Sequence, residues 1–341
     1  MSRLRVGCVG TGFIAGQHLA ALAGFPDVDI VAVADAARDR AEDVAQRYQA
    51  RAYDDGLRML ETEELDAVWV CVPPFAHGPV EDAAIDRRLP LFVEKPLAMD
   101  LPTAAQLAAR IRDTGLLTCV GYHWRSLDVV EQAARLLRDT PAQLVTGAWL
   151  DRTPAAPWWS QRSSSGGQLV EQTTHLVDLA RLLVGEVDRV QALEATVARE
   201  AWPAADVPTA SAVLLSFRSG AIGTISSSCV LDRRRQVGLR LVAPGRLVDI
   251  SEVGLYDHTL RIADDSGEQV VQTDENPIAR EDRAFLDALR TGGDVPVTYE
   301  DALRTHAVVC AADRSARDGG IPLQVDGFLA EQTPSPGEAP K

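Results

Sequence analysis

The sequence predicts an α/β chain in two parts. A doubly wound parallel sheet comes first, followed by an α+β domain with a large, mostly antiparallel open sheet. Three observations predict it. From Leu4 to Tyr122, short, near-continuous apolar runs alternate with longer amphipathic ones, as parallel strands covered on both faces alternate with their crossover helices. A glycine turn, Gly10-Thr11-Gly12, follows the first apolar run directly. After Tyr122, strand patterns succeed one another with no helix between them, which implies antiparallel pairing.

In the first part, strands are expected at 4–9, 30–34, 67–72, 91–93 and 116–120, with helices at 14–23, 37–48, 76–86 and 101–114. Asp100 ahead of Leu101-Pro102 supplies an acidic cap and a first-turn proline for the last of these. In the second part, a helix at 127–137 and a strand at 144–150 precede a Pro/Trp/Ser-rich loop, 151–165. A single helix is expected at 168–183, then strands at 187–198, 210–217, 221–230, 237–242 and 246–250. Helices at 279–289 and 299–316 close the fold. The expected domains are 1–122 and 123–330, and the Pro- and Glu-rich tail, 331–341, reads as disordered.

Bulk properties exclude several classes of function. Net charge is −15 over 341 residues, which argues against nucleic-acid or anionic-membrane partners. No window approaches the ~20 apolar residues of a membrane span. A strand pattern starts at Leu4, too early for a secretory leader, so a cytoplasmic location is expected. The five cysteines are scattered without a CxxC pair, so neither a disulfide nor a metal site is expected. Arg233-Arg234-Arg235, between two strand patterns, reads as a solvated turn. Of 34 basic residues, only Lys95 and Lys341 are lysine.

The strand–turn–helix setting of Gly10-Thr11-Gly12-Phe13-Ile14-Ala15 is the pattern of a dinucleotide-binding turn. The first glycine makes the turn, the second lets backbone approach a pyrophosphate, and the helix amino terminus at Phe13 and Ile14 favours negative charge. Asp35 ends the next strand. It can accept hydrogen bonds from adenosine ribose hydroxyls and repel a 2′-phosphate, so NAD(H) is favoured; Arg38 nearby keeps NADP(H) open. Two further strand ends fall where ligands lie in such sheets. One is Cys71-Val72-Pro73-Pro74-Phe75-Ala76-His77, in which His77 either faces the cofactor or caps the next helix. The other is Glu94-Lys95-Pro96. A partly buried lysine can lower its pKa into a useful range where arginine cannot, and this arginine-rich chain keeps lysine there. In the second domain, Glu171 and His175 lie four apart on the expected helix, with Asp178 three further on. A histidine oriented by a carboxylate suits a general base. A polar helix start and a metal site are the other two readings of these residues.

Together GTGFIA, Asp35, VPPFAH, EKP, GYHWR and SGGQLVEQTTHLVD resemble the glucose–fructose oxidoreductase / inositol dehydrogenase / MocA family along the whole chain. The resemblance implies a Rossmann domain, an open-sheeted second domain and homodimers or homotetramers formed through that sheet. It implies hydride transfer between nicotinamide and a carbinol carbon of a sugar, inositol or related polyol. His175 would be the proton acceptor, with Lys95 beside nicotinamide and substrate and Glu171 orienting the histidine; the family more often has aspartate at that last position. Glu94 and His123, which stands where many members have asparagine, would border the cofactor with Cys71, Pro73 and His77. Tyr122, Trp124, Arg125 and Trp158 would border the substrate. The resemblance also leaves a non-catalytic NAD- or sugar-sensing protein, or an NAD-dependent glycosidase, as alternatives.

Overall fold

The computed structural model describes residues 2–332, so the tail beyond falls outside the described residues. The chain opens with β1 (Leu4–Val9), α1 (Phe13–Ala23), β2 (Val28–Ala34), α2 (Arg38–Tyr48), β3 (Arg51–Tyr53) and α3 (Gly56–Thr62). It continues through β4 (Ala67–Val70), α4 (Pro79–Asp86), β5 (Leu91–Val93), α5 (Leu101–Thr114) and β6 (Thr118–Val120). Next come α6 (Asp128–Asp139), β7 (Leu144–Leu150), α7 (Arg162–Ser165), α8 (Gln168–Glu171) and α9 (Thr174–Val184). A run of strands follows: β8 (Val187–Ala195), β9 (Ala210–Phe217), β10 (Ile222–Ser228), β11 (Gln236–Ala243), β12 (Arg246–Gly254), β13 (Asp257–Asp264) and β14 (Gly267–Thr273). The described chain ends with α10 (Pro277–Thr291), α11 (Tyr299–Arg317), β15 (Leu323–Gln324) and α12 (Val325–Gln332).

Two compact units result. The first comprises residues up to Ala98, Thr103–His123 and Pro277–Leu303. Its six strands are all parallel, in the order β3-β2-β1-β4-β5-β6, the doubly wound order of a dinucleotide-binding domain. β4, β5 and β6 are buried at every position, which is why they read as unbroken apolar runs. β3 and α3 escape the pattern because Arg51-Ala52-Tyr53 is short and mostly exposed. The unit also takes α10, a segment whose sequence position suggests the other domain. Phe285 on α10 joins Trp69 and Phe92 in the core, with ring centroids 5.3 and 5.8 Å away. Hydrophobic periodicity reports that a helix has an apolar face, not which sheet it covers.

The second unit contains Met99–Pro102, Trp124–Asn276 and the chain from Arg304 on. Its nine strands run β14-β13-β12-β11-β7-β10-β9-β8-β15. β7 and β10 pair in parallel at the centre and every other neighbour is antiparallel. One face buries Val145, Trp149, Leu239, Leu241, Ile250 and Leu260, and residues such as Leu144, Leu214, Ile222 and Val242 remain exposed. β13 and β14 lie outside the expected strands: β13 alternates buried His258, Leu260 and Ile262 with Asp, Thr and Arg, and β14 is exposed at all but Val271 and Thr273. Among the described residues no helix is long and apolar enough to cross a membrane.

His258 on β13 is buried edge-on against Trp124, centroids 5.5 Å apart. Burial, with Arg234 adding to it against the pull of Asp257 and Asp128, lowers its pKa from 6.5 to about 4. Glu252 lies 3.4 Å from its Nε2. The unfolded chain therefore binds the extra proton first as pH falls, and stability is lost between these two values, by at most about 3 kcal/mol. His258→Phe is expected to flatten that acid limb in denaturation curves taken from pH 7 to pH 4; an unchanged slope would refute the assignment.

Candidate active site

The glycine turn of the first unit is built as a phosphate cradle requires. Gly10 sits at φ +88°, and a Cβ there would run into the carbonyl oxygen of Cys71 at the end of β4. Only glycine meets both conditions. Gly12 precedes α1 with no side-chain cap and no acidic residue in the first turn, and a Cβ on it would meet nothing within 4 Å. Helix amides left without a side-chain acceptor beside open space fit a pyrophosphate. Phe13 is exposed at this end of the helix and Ile14 half-buried.

Asp35 is held on every side. Oδ2 accepts from the Thr11 amide at 2.9 Å, the Thr11 hydroxyl at 2.8 Å and Arg40 Nε at 3.1 Å. Oδ1 accepts from the Ala37 amide at 2.9 Å and Arg40 Nη2 at 2.6 Å. Burial pushes this carboxyl up, but Arg40 and the two amides outweigh it and hold the group below its ordinary pKa. The basic neighbour of Asp35 is thus Arg40. Arg38, the residue expected there, pairs with Glu42 at 2.8 Å on the surface, because the phase of α2 turns its third residue rather than its first toward the strand end.

Past β4, Pro73 leads into a 3₁₀ turn, Pro74–Ala76. His77 is buried, with Nδ1 2.5 Å from Glu81 Oε1, and the other oxygen of Glu81 accepts from the Gly78 amide at 2.7 Å. Glu81 does the capping of α4, and His77 keeps a buried Nε2 without a protein partner. Glu94, at the end of β5, is buried and accepts from the Lys95 amide at 3.2 Å. Lys95 itself is half-buried. Tyr122 and His123, both buried, end this part of the unit.

In the second unit the expected single helix at 168–183 is broken. α8 ends at Glu171 and α9 begins at Thr174, and the Thr173 amide reaches back five residues to Gln168 O at 2.9 Å. This wide turn follows from Gln172-Thr173-Thr174, a polar and partly β-branched stretch, and such turns are frequent at functional sites. It changes the expected common face. Glu171 Oε2 accepts from Trp159 Nε1 at 2.7 Å. Asp178 turns to Arg125, whose Nε and Nη2 lie 2.7 and 2.6 Å from its two oxygens, and to the Thr305 hydroxyl at 2.8 Å. Among the described residues, Glu171, His175 and Asp178 do not form a group with metal-ligand geometry.

His175, buried in the first turn of α9, lies nearly parallel to the Trp149 indole, with centroids 6.0 Å apart at 21°. Arg234 stands 5.6 Å over the same indole and pairs with Asp151 at 2.8 Å and with Glu252. The central arginine of the basic run is therefore part of the site's wall, not a solvated turn: Asp151 and Glu252 draw it inward. Trp124, buried, donates to Glu252 at 2.9 Å, so its N–H is engaged inside the unit. Trp158, half-buried, packs beside Trp159, Val207 and Cys229. Trp149 and Arg234 were missed as site residues. Nothing local marks them, since the approach of Trp149 to His175 depends on how β7 meets α9, and Arg234 reaches Trp149 from the β10–β11 connection.

Residues 4–122 match the oxidoreductase family with an NAD-binding Rossmann fold, and residues 141–245 match the GFO/IDH/MocA C-terminal domain. The chain belongs to the GFO/IDH/MocA oxidoreductase family. Within this family it is 25% identical over 332 residues to the myo-inositol 2-dehydrogenase of Thermotoga maritima, covering 92% of this chain and 97% of that one. It is 26% identical over 348 residues to the D-apiose dehydrogenase of Paraburkholderia graminis, covering 94% and 89%. The fold matches that of levoglucosan dehydrogenase in complex with NADH with a TM-score of 0.86, at 21% identity over 95% of this chain and 99% of that one. This GFO/IDH/MocA chain is thus an oxidoreductase with an NAD-binding Rossmann domain.

Proposed function

We propose that the protein is an NAD(H)-dependent dehydrogenase or reductase of a sugar, inositol or related polyol. The observation that carries this reading is the buried imidazole of His175, stacked on Trp149 at the wide turn between α8 and α9. The names of its relatives, an inositol dehydrogenase and an apiose dehydrogenase, support the substrate class. The amides of Gly12, Phe13 and Ile14, brought round by the turn at Gly10, would hold the pyrophosphate, and ionised Asp35 would face the adenosine ribose and disfavour a 2′-phosphate. Cys71, Pro73, His77, Glu94 and His123 would border the rest of the cofactor. When bound, NAD⁺ supplies a hydride acceptor at nicotinamide.

In this reading His175 takes the proton of the reacting hydroxyl, and Lys95 stabilises the charge that develops on that oxygen. Glu171 and its partner Trp159 set the start of the turn that carries His175. Tyr122, Arg125 and Trp158 contribute to the substrate's surroundings. Exposed Leu144, Leu214, Ile222 and Val242 on the large sheet favour a homodimer or homotetramer formed through it. Five free cysteines suit the reducing cytoplasm.

The test is a panel of polyols and sugars incubated with the protein and NAD⁺, following absorbance of the reduced cofactor. Net NADH formation is expected with at least one cyclitol or pyranose. Sugar release without net reduction would replace this reading by the glycosidase one, and cofactor binding without turnover by the sensing one. Asp35→Ser is expected to move the NAD⁺/NADP⁺ affinity ratio toward NADP⁺ by roughly tenfold. An unchanged ratio would remove Asp35 from cofactor selection.

A further inference from the structure

Helix α1 presents an imidazole, His18, to the apolar core of the first unit, where it is completely buried. Its Nδ1 lies 2.8 Å from Asp282 Oδ1 on α10, and its Nε2 lies 3.1 Å from Glu94 Oε1 at the end of β5. Between two ionised carboxylates, one ring serves an oxygen of each only when both its nitrogens carry hydrogen. Burial would lower the pKa of His18, but Asp282 and Glu94 together hold it well above its ordinary value. Asp282 is itself fixed by Trp69 Nε1 at 2.8 Å. Burial pushes the carboxyl of neighbouring Glu281 well up and that of Asp282 up, while the His18 ring pulls both down.

Glu94 is thereby gripped from several directions. One oxygen meets His18 and the other accepts the Lys95 amide at 3.2 Å. The backbone at Gly121 leaves just enough room for the carboxylate, since a Cβ there would run into it.

We propose that His18 is a positioning residue: its doubly protonated ring, anchored by Asp282, fixes Glu94 and through it the backbone of Lys95. The proposal rests on the role given to Lys95 above. It explains why polar groups occupy the meeting point of α1, β5 and α10, where three apolar side chains would pack at lower desolvation cost. Ligand atoms of His18, Glu94 and Glu281 lie within 4.8 Å of one another, a spacing that also admits a divalent cation. A proton on the ring accounts for both of its bonds without one.

The scarcity of lysine provides a direct probe. Reductive methylation with ¹³C-formaldehyde labels Lys95, Lys341 and the α-amino group, and Lys341→Arg and Lys95→Met assign the two lysine resonances among the three. In His18→Asn, the Lys95 resonance and its titration midpoint are expected to move. In the unlabelled variant, kcat on the substrate found by the panel should fall about tenfold, with KM and NAD⁺ affinity within about twofold. Asp282→Asn, which keeps an acceptor for Trp69, should act in the same direction with smaller size; it stands in if His18→Asn does not fold.

A folded variant with reduced melting temperature but an unmoved Lys95 resonance and unchanged kcat would overturn the proposal, reducing His18 to a core residue. One stoichiometric divalent metal in the purified protein would overturn it as well. Full activity of Lys95→Met would instead retire the catalytic role of Lys95, while the resonance shift would still decide whether His18 positions it.

Discussion

Replacing His175 with asparagine is expected to lower kcat by about 10²–10⁴-fold, the range for loss of a general acid–base group. NAD⁺ affinity, read from quenching of protein fluorescence, should stay within about twofold. The size of the effect follows from the setting of the ring. His175 is buried and stacked on Trp149, so its plane is restricted before any substrate arrives. Asparagine keeps a polar group of similar reach without a proton acceptor that titrates near neutrality. Lys95→Met should also reduce kcat strongly, because the charge on the developing alkoxide would go uncompensated. A His175→Asn protein retaining kcat within about threefold of the parent would remove the histidine from the chemistry. Attention would then pass to Lys95 as the proton-transferring group.

That the sequence singles out His175 and Lys95 as candidates, but not Trp149, Arg234 or His18, has a physical basis. Strand ends and helix starts are local features. The turn at Gly10, the end of β5 at Glu94 and the small-residue opening at Gly166-Gly167 each leave a mark within a few residues. Trp149 is one more apolar letter in β7, and only the packing of that strand against α9 sets it beside His175. His18 sits within the apolar face of α1 between Ala15 and Leu22; its partners lie 76 and 264 residues away. The confusion of Arg38 with Arg40 is of another kind. Both are near Asp35 in sequence, and the phase of α2 decides between them. The break after Glu171 shows the limit of spacing arguments: one wide turn rotates everything after it, so four residues apart no longer means one above the other.

Asp178→Ala is expected to destabilise the second unit by about 3–5 kcal/mol, the cost of leaving a buried charge without its partner. Arg125 is the charge at stake. Its side chain is 9% exposed and that of Asp178 2%, and both bonds of the fork, at 2.7 and 2.6 Å, are made inside the protein. The loss would spread to the Thr305 hydroxyl, which donates to Asp178 at 2.8 Å and accepts from Arg181 at 2.6 Å. Urea unfolding followed by tryptophan fluorescence reports on this unit, since Trp124, Trp149, Trp158, Trp159 and Trp202 lie in it and only Trp69 lies in the other. Asp178→Asn should fall between the parent and alanine, because an amide oxygen still accepts from Thr305 but offers Arg125 only one acceptor. Combining Asp178→Leu with Arg125→Met should recover much of the loss, as removing both members of a buried pair costs far less than removing one. An alanine variant within about 0.5 kcal/mol of the parent would mean that water reaches Arg125. Equal losses in the single and double variants would trace the stability to packing around α9 and not to the ion pair.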